Sequence, residues 1–470
     1  MEQAKYQRSA LYILISVFFF WGFVAASNTV LIPIFKEKFN LEQWQSQLVE
    51  FAFYIAYFVG SLIYFLWSSR KGDPLNKYGY KKGLTIGLVM SAAGTLLFIP
   101  ASTMGSFELF LLGYFIIAFG FSLQQIVANP YVIALGDPST GAHRVSLAGG
   151  INSLGTTVGP LLIATALFGS ADSNIDAKNM ELTQVQTPYL FLGLAFLLFA
   201  VLIYFSKLPS VKNDKKISSG NKVFQFPQLV LGMVAIFIYV GVEVSVQSNL
   251  PALMEDSNFL GLSSKDSVHF ISLYWGCLMM GRWAGASSAF GLKKKWSLTL
   301  NAIMPVVAFS VVYLVNYLKG SPMQDLLNFW PFVLLAMIAF VIANEKPAFT
   351  MTLFGGIASV LVIIGMFTTG ITAVYCLIAT GLFCSIMWPC IFSLSIAGLK
   401  EYTNQGSSLL IMMIAGGAAF PILQGALADQ LGIQFSYWLP FLGFVYLAYF
   451  GFAVKKTLLK QGINFDGESK

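Results

Sequence analysis

The chain has 470 residues, 57% of them hydrophobic and only 10% charged, and its mean hydropathy is +0.72. A soluble domain carries about 25% charged residues, so this chain has too little polar surface to face water, and a soluble enzyme is excluded. A net charge of +7 could suit nucleic acid, but the distribution of the basic residues excludes that partner as well.

Taken in order, the apolar runs predict fourteen membrane-spanning helices. They lie near 10–34, 44–67, 84–101, 109–135, 145–169, 187–206, 226–250, 268–288, 297–318, 328–344, 347–367, 370–394, 407–427 and 434–454. Stretches 9–35 and 109–135 contain no Asp, Glu, Lys or Arg, and 347–399 runs 53 residues without one. About 20 apolar residues cross a bilayer, so the last stretch is read as two helices with a tight turn near 368–370. No alternating short-strand pattern points to a β-barrel. The fold class is all-α and polytopic, with the lipid bilayer as solvent. The N-terminus enters its first span without a small-residue cleavage site and reads as a retained helix, not a signal peptide. Cys277, Cys376, Cys384 and Cys390 fall inside apolar spans and read as small buried hydrophobes. There is no phosphate-cradling glycine–lysine loop, no metal-ligand spacing and no nucleophile–histidine–acid set. No cofactor, metal or catalytic residue is expected.

An even number of spans puts both termini on one side. Placing that side in the cytoplasm assigns 22 of the 28 basic residues to cytoplasmic segments. Lys36, Lys38, Lys178, Lys265 and Lys319 fall in outer loops, and Arg282 lies within a span near its inner end. This asymmetry marks topology in the cytoplasmic (inner or plasma) membrane. The polar stretch after residue 206 divides the chain. It suggests an N-terminal six-helix bundle (1–206), a cytoplasmic linker (207–225), a C-terminal bundle (226–456) and a tail (457–470).

The two halves resemble each other. Gly155 precedes Pro160 by five positions in span 5, as Gly416 precedes Pro421 in span 13. Asn129-Pro130 in span 4 matches Trp388-Pro389 in span 12, and basic, glycine-containing loops follow spans 2 and 8. Small residues let helices approach closely and proline kinks them. One span separates 2 from 4 but three separate 8 from 12. The C half therefore reads as a six-span repeat with an extra hairpin near 297–344. Two repeated halves around a midplane site is the layout of secondary transporters.

Several segments carry a family resemblance: 20–33 (FWGFVAASNTVLIP), 128–136 (ANPYVIALG), 152–155 (NSLG), 239–245 (YVGVEVS), Tyr274-Trp-Gly276 with Gly281-Arg282, 385–389 (SIMWP) and 424–429 (QGALAD). In combination the chain resembles the fucose/glucose/galactose branch of the major facilitator superfamily, over about 10–206 and 226–454. The resemblance implies the major facilitator fold and import of a neutral hexose (glucose, galactose or fucose) by alternating access, coupled to H⁺ or Na⁺, in a monomer. It also makes the loop 72–81 a degenerate gating motif, with Asp73 and Lys81 as gate residues. Proton-coupled fucose carriers of this family use acidic residues in spans 1 and 4. The matching positions here are Thr29 and Gln125, which do not titrate, and Gly149 stands where the family often has Gln.

Glu243 lies mid-span, where a charge costs about 3 kcal/mol and must meet a partner or a water-filled cavity. It is a candidate for sugar and cation contact, and otherwise a packed hydrogen-bonding group. Gln247 is one turn on. Glu50, in the outer part of span 2, is either a displaced coupling carboxylate or a residue hydrated from the periplasmic side. Gln125 and Asn129 share a face of span 4, and Asn28 and Asn152 add amides from spans 1 and 5. Amides donate and accept together, which suits sugar hydroxyls, although such residues also join helices. Trp388 could stack on a sugar face or simply pack, and Gln424 faces the same choice. Arg144 and Arg282, near span ends, read as gate or capping residues, contacting Asp137 or helix C-termini. His143 and His269 lie near span ends and read as weak proton-relay candidates. The alternatives to sugar symport are drug or metabolite efflux, facilitated sugar diffusion and, ranked last, a sugar sensor that does not transport.

Overall fold

A computed structural model describes residues 2–41, 45, 48–137, 140–168, 180–209, 222–257, 259–262, 267–286, 294–318, 321–343 and 346–464, which are helical with no strand among them. Twelve helical segments among them are long and apolar enough to cross a membrane. The helices Gly141–Phe168 and Val268–Gly285, of 28 and 18 residues, also have the length to do so. The described residues divide into two compact units: Met1–Gly136 with Ile151–Val223 and Leu399–Met412, and Asp137–Gly150 with Phe224–Gly398 and Met413–Lys470.

The first unit contains α1 (Glu2–Lys38), α2 (Leu48–Lys71), the short α3 (Pro74–Tyr78), α4 (Tyr80–Leu96) continued by α5 (Phe98–Met104), and α6 (Phe107–Ala134). It also holds the C-terminal part of α7 (Gly141–Phe168), all of α8 (Gln186–Phe205) and, from far along the chain, α17 (Thr403–Met412). α4 packs between α6 and α8, and α2 lies on α6. Glycine explains the α4–α6 contact. A Cβ on Gly94 would come within 2.8 Å of the Gly113 carbonyl, and one on Gly87 within 2.9 Å of that of Gly120. The backbones therefore touch, as small-residue stripes allow in membranes. α1 meets α7 the same way, because a Cβ on Gly155 would overlap the Phe19 carbonyl.

The second unit holds α9 (Pro227–Glu255), α10 (Val268–Gly285), α11 (Lys294–Leu318), α12 (Met323–Asn328), α13 (Trp330–Ala343), α14 (Pro347–Phe367), α15 (Gly370–Cys384) and α16 (Met387–Ile396). α18 (Gly416–Leu431) and α19 (Trp438–Lys460) complete it. Here α14 packs between α15 and α19, as α4 does between α6 and α8, and α10 lies on α15. α9 meets α18 through Gly416, whose Cβ would overlap the Phe237 carbonyl. Gly155 and Gly416, matched in the sequence, thus make the same contact in their own units. α11 and α13 stand between the counterparts of α2 and α4 and have none of their own in the first unit. α11 packs on α10 and α13, and Phe340 of α13 meets Phe354 of α14 with ring centroids 5.0 Å apart. The turn between α14 and α15 falls at 368–369 and ends on Gly370 at φ +66°. All four cysteines are buried, and no disulfide joins them.

Several predicted spans are broken where one helix was expected. The run 370–394 splits at Ser385–Ile386 into α15 and α16. Proline is the reason. It has no N–H, so the carbonyl four residues earlier loses its helical donor. For Pro389 that carbonyl belongs to Ser385. For Pro130 in α6 it belongs to Ile126, and the Ser407 hydroxyl of α17 fills the gap, donating to Ile126 O at 2.9 Å.

Candidate functional site

The intramembrane charge of the second unit is paired. Arg282 Nη2, in the last turn of α10, lies 3.6 Å from Glu243 Oε1 in α9, and both side chains are 13% exposed. Arg282 Nε also donates to the Ser385 carbonyl at 3.4 Å, the acceptor that Pro389 leaves without a helical partner. Gly281 makes this possible, since a Cβ there would overlap the Ser385 hydroxyl. Tyr274 donates to the Glu243 carbonyl at 2.9 Å, fixing the backbone that presents the carboxylate. Trp388, three residues past Ser385 and half-buried, stacks on Phe392 and has its ring 6.4 Å from that of Tyr239, one turn before Glu243. A carboxylate, a guanidinium, a broken helix end and an indole are thereby assembled on four elements. Gln247 is half-buried one turn beyond Glu243. Gln424 is drawn elsewhere: it is fully buried and donates to Ser436 at 3.2 Å, tying α18 to the turn Phe435–Tyr437.

In the first unit Gln125 donates to the Tyr57 hydroxyl at 2.9 Å, which orients its amide. Asn129 donates to the Gln125 carbonyl at 3.0 Å, and its buried Oδ1 has no hydrogen-bond partner among the described residues. Asn152 donates to the Phe18 carbonyl at 3.0 Å, spending part of its amide on joining α7 to α1. The side chains of Asn28 and Thr29 lie outside the described residues. Gln124, next to Gln125, is a strut: it accepts from Trp21 and donates to Ser91, both at 2.9 Å. Glu50 sits half-buried in the first turn of α2, where the helix dipole favours an acid.

Among the gate candidates, Asp73 gathers three donors. It caps α3 by accepting from Leu75 N at 2.8 Å, and it accepts from Tyr64 at 2.5 Å and from Asn404 of α17 at 2.6 Å. Tyr80 donates to Asn404 Oδ1 at 2.5 Å and closes the network. Burial pushes the Asp73 carboxyl above its ordinary range, against the pull of these hydrogen bonds. Lys81 donates to the Ser206 carbonyl at the end of α8 at 2.8 Å. Arg144 is buried and donates to Thr140 at 2.6 Å and to the Asp137 backbone carbonyl at 2.8 Å. His143 lies 2.9 Å from the Gly285 carbonyl, and His269 lies 3.1 Å from Asp325.

Sequence reasoning missed Tyr57, Tyr64, Ser385 and Asn404. Ser385 was legible from Pro389 by counting back four residues. The two tyrosines carry no sequence signal that separates them from other aromatic span residues.

A family model described as Major Facilitator Superfamily matches residues 13–353. The chain is 35% identical over 452 residues to a glucose/galactose transporter of Brucella abortus, covering 95% of this chain and 94% of the relative. It is 27% identical over 434 residues to an L-fucose-proton symporter of Escherichia coli, covering 89% and 87%. The crystal structure of the Major Facilitator Superfamily transporter FucP in the outward conformation superposes with a TM-score of 0.72 at 26% identity, over 94% of this chain and 98% of that one. With the packing repeated in both units, these matches make the chain a member of the Major Facilitator Superfamily, a multi-pass membrane transporter and not an enzyme.

Proposed function

We propose that the chain imports a neutral hexose across the cytoplasmic membrane by alternating access, energised by a cation gradient. The observation that carries the reading is its end-to-end relation to the Brucella abortus glucose/galactose transporter. The chemistry of each unit agrees with it. In the first, Gln125 offers an amide; in the second, Gln247 offers an amide and Trp388 an apolar ring face, and Glu243 and Arg282 neutralise one another. Such a set suits a neutral, hydroxylated solute better than a lipophilic cation. Glu243 is the coupling carboxylate in this reading, with Glu50 as the other candidate, and H⁺ or Na⁺ is the only accessory species. Asp73, Lys81, Arg144 and Arg282 govern closure at the helix ends. The termini and the linker 207–225 face the cytoplasm, where the basic residues concentrate, and the monomer is the working unit.

Uptake of radiolabelled glucose, galactose and fucose into proteoliposomes under an imposed ion gradient tests the reading. Accumulation of at least one hexose above equilibrium is expected. Exclusion of all three, with gradient-driven export of lipophilic cations, would establish efflux instead.

A further inference from the structure

We propose that Gln405, Asn129 and Ser68 form a second sugar subsite in the first unit, on the Asp73 side of Gln125, which the solute's hydroxyls occupy when α17 parts from α2 and α6. The inference rests on the reading of the chain as a sugar carrier. It goes beyond that reading by naming a site, its residues and the direction of transport it serves.

The site is marked by polar atoms that lack hydrogen-bond partners among the described residues. Both amide atoms of Gln405 are buried in this way, as are Asn129 Oδ1 and the hydroxyls of Ser61 and Ser68. Gln405, Ser61 and Ser68 are 0% exposed and Asn129 is 1% exposed. They stand on α17, α2 and α6, and α17 packs against both of the other helices.

Bonded neighbours fix the register. Ser407 of α17 donates to Ile126 O of α6. Asn404 accepts from Tyr80, whose ring lies 5.3 Å from that of Tyr131 near the end of α6. Residues 404 to 407 therefore run antiparallel past 131 to 126. At about 1.5 Å of rise per residue, Gln405 comes level with Asn129. On α2, Tyr57, Ser61, Tyr64 and Ser68 follow one face at helical spacing. Tyr57 accepts from Gln125, and Tyr64 reaches Asn404 through Asp73, so this face is turned toward α6 and α17.

Buried polar groups without partners are costly, and apolar side chains of the same shape would pack more favourably. Their concentration in one seam, beside bonded Asn404 and Ser407, points to a ligand. Gln405 offers donors and an acceptor, Asn129 an acceptor, and Ser68 either. No charge accompanies them, so the ligand is neutral and hydroxylated. Gln125 lies one turn from Asn129 and links the set to the amide described above. The 3₁₀ turn Met413–Ala415 interrupts the helix after α17 and gives α17 a place to pivot. A sugar hydroxyl and a buried water offer the same chemistry, and transport separates them.

The test is hexose transport by right-side-out membrane vesicles, whose interior faces the Asp73 side in the orientation proposed above. Gln405→Met keeps the side chain's shape and removes its amide. It should raise the KM for efflux of preloaded hexose about tenfold, as loss of roughly one hydrogen bond to the solute would. The influx KM should stay within about twofold, and melting in detergent without sugar should occur at or above the wild-type temperature. Ser68→Ala should raise the efflux KM about threefold. Unchanged KM values in both variants overturn the inference. So does a lowered melting temperature with unchanged KM, which assigns the seam to buried water. An equal rise in both directions overturns it as well, because the amide then serves a site reached from either side. If Gln405→Met does not fold, Ser68→Ala decides. Wild-type hexose transport with any of these overturning results leaves the chain a sugar carrier, whereas vesicles that move no hexose in either direction overturn both readings.

Discussion

Asp73 shows how one side chain can serve a helix end and a remote segment together. Its two oxygens accept from a helix N-terminal amide, a tyrosine and an asparagine more than three hundred residues away in sequence. Asp73→Asn turns its donor toward that of Asn404 and should cost about 1–3 kcal/mol, the penalty for an unsatisfied buried polar group. Exchanging the pair (Asp73→Asn with Asn404→Asp) should recover most of it, as thermal unfolding in detergent would show. The pH dependence has a defined sign. Because burial raises the carboxyl, the fold favours its neutral form. The stabilisation from this group is complete below the unfolded value of about 4 and is lost as pH rises through the folded value. Asp73→Asn should remove that part of the slope, and an unchanged slope would assign it elsewhere. Glu243 was legible in the sequence because a lone charge in an apolar span is expensive. Its partner was not, because the two residues are 39 positions apart and only the packing of α10 on the break, close at Gly281 and Gly285, brings them together.

At the scale of elements, the glycines differ in what an added carbon would meet: backbone at some, side chains at others and nothing at a few. Gly416→Ala should destabilise the protein, since the added carbon overlaps the Phe237 carbonyl, and Gly155→Ala should do the same against Phe19. Gly356, in α14, has nothing within 4 Å of such a carbon. Gly356→Ala should be neutral or stabilising by up to about 1 kcal/mol, the helix-propensity difference. Equal effects at Gly416 and Gly356 would count against close backbone approach as the reason for the matched glycines. The element count was legible because span length and charge gaps report on the bilayer directly. The breaks at 385–386 and at Met413–Ala415 were not placed, because hydropathy is blind to a lost hydrogen bond within an apolar run. The prolines that cause or accompany them mark the repeat in the sequence, and each removes the helical donor of the carbonyl four residues back.

At the scale of the molecule, the repeat and the basic loops make separate statements. The repeat sets which helices correspond, and the basic residues are the basis of the proposal that both termini face the cytoplasm. A fluorescent protein fused to either terminus should fluoresce in cells, and alkaline phosphatase fused near residue 176 should be active. The reverse pattern would invert the orientation. Of the inserted helices, α11 is the least buried of the candidate spans, with 28% of its apolar window inside the protein, against 83% for the span Gly370–Ile396. Its sequence pattern gave its place but no purpose, since an apolar helix facing lipid and one facing protein read alike.

The burial of all four cysteines has a practical consequence. Water-borne thiol reagents find no native target on this chain, so the wild-type protein is already a quiet background for labelling. A single cysteine placed at an exposed loop position would then report, by its rate of maleimide capture with and without sugar, which end of the carrier is open at that moment.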